Sequence, residues 1–107
     1  MSNLADDDAT LKAFRTALEK IYGGRLERVV LYGSRARGDA RPDSDYDVAV
    51  FLQGLNSRWD EIDRIIDITH GILVDKGTVI HAMPYKAGAY GDQTPLMHEL
   101  RREGRDV

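Results

Sequence analysis

The chain of 107 residues has no cysteine. That excludes a disulfide framework, a thiolate metal site and a thiol nucleophile. It also lacks any apolar run near the roughly 20 residues that cross a bilayer. Its opening stretch, MSNLADDDAT, is acidic and has no apolar centre, so it does not read as a signal peptide. These absences fit a cytoplasmic protein with no membrane partner. Net charge is low, at −3, so no overall field draws the chain to nucleic acid, and direct nucleic-acid binding is not expected. Aromatic residues are sparse, and the single tryptophan, Trp59, is the one indole available as a stacking platform for a base. What remains is ordinary for one globular domain over residues 1–107: 42% hydrophobic and 31% charged.

The chemistry concentrates in Gly33 to Val50, which reads GSRARGDARPDSDYDVAV. Val29 to Tyr32 before it is a β-prone run, and Asp45 to Phe51 alternates polar and apolar residues as a second strand begins. A strand ending in Gly33-Ser34 lets backbone N–H groups approach an anion closely, because glycine puts no side chain in the way. Asp45 and Asp47 are two apart on a strand and project to one face. Two carboxylates held together repel unless a proton or cation joins them. The matching cation is Mg²⁺, which takes one or two carboxylates plus substrate phosphate oxygens. Glycine, serine and aspartate are also ordinary turn material. Their combination with the cations Arg35, Arg37 and Arg41 is what sets this stretch apart.

Gly33-Ser34, ten residues, then Asp45-x-Asp47 resembles the signature of the nucleotidyltransferase superfamily that includes DNA polymerase β and kanamycin nucleotidyltransferase. The fuller form, Gly33-Ser34-x-Ala36-Arg37-Gly38 with Ser44-Asp45-x-Asp47, resembles the minimal nucleotidyltransferases of prokaryotes. Those small proteins are often antitoxin partners of HEPN-domain toxins. Their length and element order match nearly the whole chain, including Glu103-Gly104. The resemblance implies an α+β nucleotidyltransferase fold with about three core strands and binding of a nucleoside triphosphate, ATP first. It assigns Asp45 and Asp47 to catalysis and Mg²⁺, and Gly33, Ser34, Arg35 and Arg37 to the nucleotide. It implies transfer of AMP to a hydroxyl on a HEPN-type toxin.

The rest of the chain reads as helices and strands around this stretch. Asp6-Asp7-Asp8 open a helix with Leu11, Phe14, Leu18 and Ile21 on its inner face, stopped by Gly23-Gly24. The first strand spans about Leu26–Tyr32 and the second about Asp45–Leu52. Ser57 caps a long helix that turns Trp59, Ile62, Ile65, Ile66, Thr69, Ile72 and Leu73 inward. Its outer face carries Asp60, Asp63, Arg64 and Asp67, with an Asp60–Arg64 ion pair. Trp59 is expected in the core rather than at a base. After Lys76-Gly77 a third strand covers about Thr78–Met83, ended by Pro84. Thr94-Pro95 open a last helix that buries Leu96, Met97 and Leu100 and ends at Gly104.

One family feature is missing. Active relatives carry a third carboxylate on the strand beside the pair, but Thr78 to Met83 has no Asp or Glu. Alternation places His81 there instead. His81 is a candidate general base, since imidazole titrates nearest neutral pH, or else a structural histidine. Asp75 precedes the glycine turn and is expected too early to face the site. His70 and His98 have no partner at metal-ligand spacing and are expected to be structural. Larger relatives hold base and acceptor with extra domains, so here the acceptor site is expected from a partner or a homo-oligomer. Two readings stay open: a Mg²⁺-dependent enzyme, and a degenerate nucleotidyltransferase-fold module that neutralises a partner by contact. Small size disfavours a transferase acting on antibiotics.

Overall fold

In a computed structural model, residues 8–107 are described; Asp6 and Asp7 lie outside them. The elements are α1 (Ala9–Tyr22), β1 (Leu26–Tyr32), α2 (Ser34–Arg37), β2 (Tyr46–Leu52), α3 (Arg58–Lys76), β3 (Ile80–Lys86), α4 (Pro95–Glu103) and β4 (Arg105–Asp106). Together they make a mixed α+β fold. Its sheet has the order β3-β2-β1-β4, with β1 antiparallel to β2 and β4, and β2 parallel to β3.

Local chemistry sets the helix ends. Asp8 caps α1 by accepting from the Leu11 N–H at 3.0 Å, Ser57 caps α3 by accepting from Asp60 N–H, and Thr94 caps α4 with Pro95 in its first turn. α1 ends at Gly23, where φ is 52°.

The sheet has two unequal faces. The first is covered by α1 and α3 through a cluster that includes Leu11, Phe14, Leu18, Tyr22, Val29, Leu31, Val48, Val50, Ile65 and Ile72. The second carries Val30, Ala49 and Phe51 beneath Met97 and Leu100 of α4.

Several expectations need correcting. Ile21 is exposed, and Tyr22 takes its place in the core. α3 buries Glu61, Ile65 and Ile72, while Trp59, Ile66 and Leu73 face outward, Trp59 at 78% exposure. The helix carries two apolar stripes, and only one can meet the sheet. Arg64 pairs with Glu61 at 3.1 Å rather than with Asp60. β3 starts two residues later than expected and runs through Pro84, which is buried inside it. An edge strand tolerates proline because one side of its backbone has no ladder to complete. The short β4 is an element that the hydrophobic pattern did not reveal.

Candidate active site

The register puts Tyr32, Asp47 and His81 in one row across β1, β2 and β3. Asp47 belongs to the same alternating series as Ala49 and Phe51, so this row lies on the second face of the sheet. Asp45 immediately precedes β2, and its Oδ2 lies 2.9 Å from His81 Nε2. Asp45 and His81 are both open to solvent, at 48% and 62% side-chain exposure. His81 therefore contacts Asp45 and stands beside Asp47 in the register, so the three side chains named for catalysis lie at one end of the sheet.

Gly33 closes the other side. Its φ is 75°, and a Cβ added there would stand 2.6 Å from Asp47 Oδ2. Glycine is required both by the left-handed backbone and by the carboxylate pressed against it. Ser34 then opens α2, so the stretch after Gly33 is one helical turn rather than a plain loop. The first N–H groups of such a turn have no intrahelical acceptor. Ala36 is buried and anchors it, and Gly38, at φ 86°, ends it.

Burial raises the Asp47 pKa from its ordinary value, and the Asp45 charge adds to this; His81 and Arg37 pull the other way. Tyr32, next in the row, is pushed up to about 12, first by burial and then by Tyr85, Asp47 and Glu99. It stays a neutral phenol at any physiological pH.

The two arginines divide. Arg37 pairs with Asp39 at 3.2 Å and Glu103 at 3.5 Å, and its charge is felt at Asp47. Arg35 turns toward the first face. It donates to the Ser44 carbonyl at 2.9 and 2.7 Å and to the Pro42 carbonyl at 3.1 Å, and lies 4.0 Å over the Tyr46 ring. Tyr46 in turn donates its hydroxyl to Asp8. Arg35 thus fastens the loop that delivers Asp45, and its guanidinium is not grouped with the carboxylates.

Sequence reasoning passed over Arg105, whose Nε donates to the Ala36 carbonyl at 2.8 Å. With Glu103 on Arg37, the end of the chain grips the far end of α2. Gly104 permits this, because a Cβ there would meet the Leu100 carbonyl oxygen at 2.4 Å and Val30 at 2.6 Å. The signal for it was the Glu103-Gly104 pair alone. Asp75 sits at the end of α3 beside Lys76, His70 lies on the exposed side of α3, and His98 contacts Arg101 at 3.1 Å; none joins the row. Among the described residues no cluster of three or more His, Cys, Asp or Glu side chains is set to hold a metal alone. Asp45 and Asp47 would supply only a carboxylate pair, a donor set that suits a hard cation when phosphate oxygens complete its shell.

A family model, described as the nucleotidyltransferase domain, matches residues 11–87, which takes in the whole row and its glycine-serine turn. The chain belongs to the nucleotidyltransferase domain family. Two proteins of Methanocaldococcus jannaschii that carry the provisional name protein adenylyltransferase are similar to it. One is 32% identical over 73% of this chain and 72% of its own length. The other is 32% identical over 91% of this chain and 94% of its own. Among solved structures, a toxin–antitoxin with AMP-PNP superposes with a TM-score of 0.60 at 18% identity, over 87% of this chain and 68% of that one. A nucleotidyltransferase structure from Sulfolobus solfataricus, so named provisionally, gives 0.60 at 18%, over 99% and 87%. These likenesses show the nucleotidyltransferase fold.

Proposed function

We propose that this single domain is a Mg²⁺-dependent nucleotidyltransferase that moves AMP from ATP onto a hydroxyl of a partner protein. The partner we favour is a HEPN-type toxin, which makes the chain the antitoxin of a cytoplasmic pair. The observation that carries this is the convergence of Asp45, Asp47 and His81 beside Gly33. The protein adenylyltransferase name of the Methanocaldococcus jannaschii relatives and the toxin–antitoxin neighbour with AMP-PNP support it.

Asp45 and Asp47 would hold the cation, which when bound neutralises triphosphate charge and polarises the α-phosphorus. Gly33 and Ser34 cradle the β- and γ-phosphates through backbone N–H and the hydroxyl, and Arg37 adds positive field. Arg35 contributes by holding the loop. The acceptor oxygen attacks the α-phosphorus, the new O–P bond forms as the bond to pyrophosphate breaks, and the acceptor proton passes to His81. With Nε2 turned to Asp45, Nδ1 is the ring nitrogen free to take it.

His81→Ala should retain MgATP binding and lose label transfer from α-labelled ATP to the partner. His81→Asp should restore or raise transfer. Robust transfer by His81→Ala would remove His81 from the mechanism. The lack of a third carboxylate favours one other reading, a contact antitoxin. That reading predicts no transfer by wild type at any pH, with inhibition of the partner at fixed stoichiometry.

A further inference from the structure

α3 exposes a second apolar stripe away from the sheet. Trp59, Ile62, Ile66, Thr69 and Leu73 follow one another at spacings of three, four, three and four residues. That is the spacing of a helix seam that packs against another helix at a shallow angle. Trp59, Ile66 and Leu73 are among the exposed large hydrophobic residues, joined there by Val74 on α3 and by Val79 before β3. Part of the seam forms a groove of about 180 Å³ whose lining includes Ile66, Leu73 and Val79. The stripe is about 21 Å long at 1.5 Å per residue.

Its flank identifies the occupant. Asp60, Asp63 and Asp67 each follow a stripe residue (Trp59, Ile62, Ile66) and are exposed along one flank of it, and none has an ion-pair partner among the described residues. A second copy paired antiparallel would set this acidic flank against itself, on chains already at −3 each. We propose that the outer face of α3 docks an amphipathic helix of a different protein, one whose apolar stripe is edged by lysine and arginine. α3 covers the first face of the sheet and the Tyr32–Asp47–His81 row lies on the second, while the groove reaches Val79 and Ile80, next to His81 in sequence. The inference does not rest on the transfer reaction.

Trp59 is the only tryptophan, so its emission reports this face alone. The full chain should be titrated with a synthetic amphipathic Leu/Lys helix and with its Leu/Glu counterpart. The Leu/Lys peptide should shift Trp59 emission to the blue, and the response should weaken as ionic strength rises. Asp60→Asn/Asp63→Asn/Asp67→Asn should lower that affinity about tenfold, since three exposed pairs are lost. Ile66→Ser/Leu73→Ser, at two exposed positions, should lose it altogether. Equal response to both peptides, or response to neither, overturns the proposal. So does a blue shift of the protein alone with rising concentration and a dimer mass in sedimentation, which would make the occupant a second copy.

Discussion

Two acid–base clusters in this molecule are built to opposite ends. At the start of α3, Glu61 is 4% exposed and is clamped by Arg25 at 2.8 Å and Arg64 at 3.1 Å. Arg25 also donates to the carbonyls of Gln53 and Gly54, so the cluster ties β2's exit to the helix that follows. The Glu61 carboxylate there is met by two arginines within the fold. At the Tyr32–Asp47–His81 row, Asp47 feels the charge of nearby Asp45, and the base in contact with Asp45 is one histidine. The first arrangement is finished and holds the chain together. The second leaves negative charge to be met by whatever binds, and this separates a structural cluster from a site.

The comparison can be broken from either side. Asp45→Asn/Asp47→Asn should abolish Mg²⁺-dependent ATP binding in calorimetry, by more than the roughly 10–100-fold that loss of a supporting group costs a metal site. Equal affinity in wild type and variant, with or without EDTA, would dissolve the distinction. Glu61→Ala should do the reverse: it strands two arginines and leaves nucleotide affinity of the folded protein intact. A fully buried pair loses about 3–5 kcal/mol when one partner goes. Both arginines here reach water, so about 2 kcal/mol is expected, read as a fall of about 10 °C in melting temperature.

The smallest effect sharpens the contrast through pH. The Asp47 pKa is raised in the folded state, so across the window between the ordinary carboxylate pKa and the raised one the native chain binds more protons than the unfolded chain. Its contribution to stability therefore falls as pH rises through that window and stays level above it. Asp47→Asn should melt slightly higher than wild type at neutral pH in EDTA, and the gap should close below the window. A variant that melts lower at neutral pH would mean that Asp47 carries structure as well as charge.

Much of this was legible because it was local. The helix starts after Asp8 and at Thr94-Pro95, the cap at Ser57, the glycine stops and the Asp45-x-Asp47 spacing each depend on a few neighbouring residues. So did the placement of His81, since alternation along a strand carries through to the register with Asp47. The errors came where two solutions satisfy one pattern. α3 has apolar residues on two stripes, and periodicity does not say which one the sheet takes. Glu61 went unnoticed because its burial depends on Arg25, far away in sequence. Arg35 and Arg37 sit two apart in the same motif, yet Tyr46 and the Ser44 carbonyl draw one away while Glu103 holds the other. Pro84 was read as a stop because the strand's place at the sheet edge is a tertiary fact.

That proline has a wider consequence. At one border of the sheet, β3 contains a residue with no N–H to offer, and at the other, β4 is two residues long. Among the described residues, the row of free donors and acceptors on which another chain's strand could zip is interrupted at one border and short at the other. Both features work against fibre-like growth and recognition by strand addition at these borders.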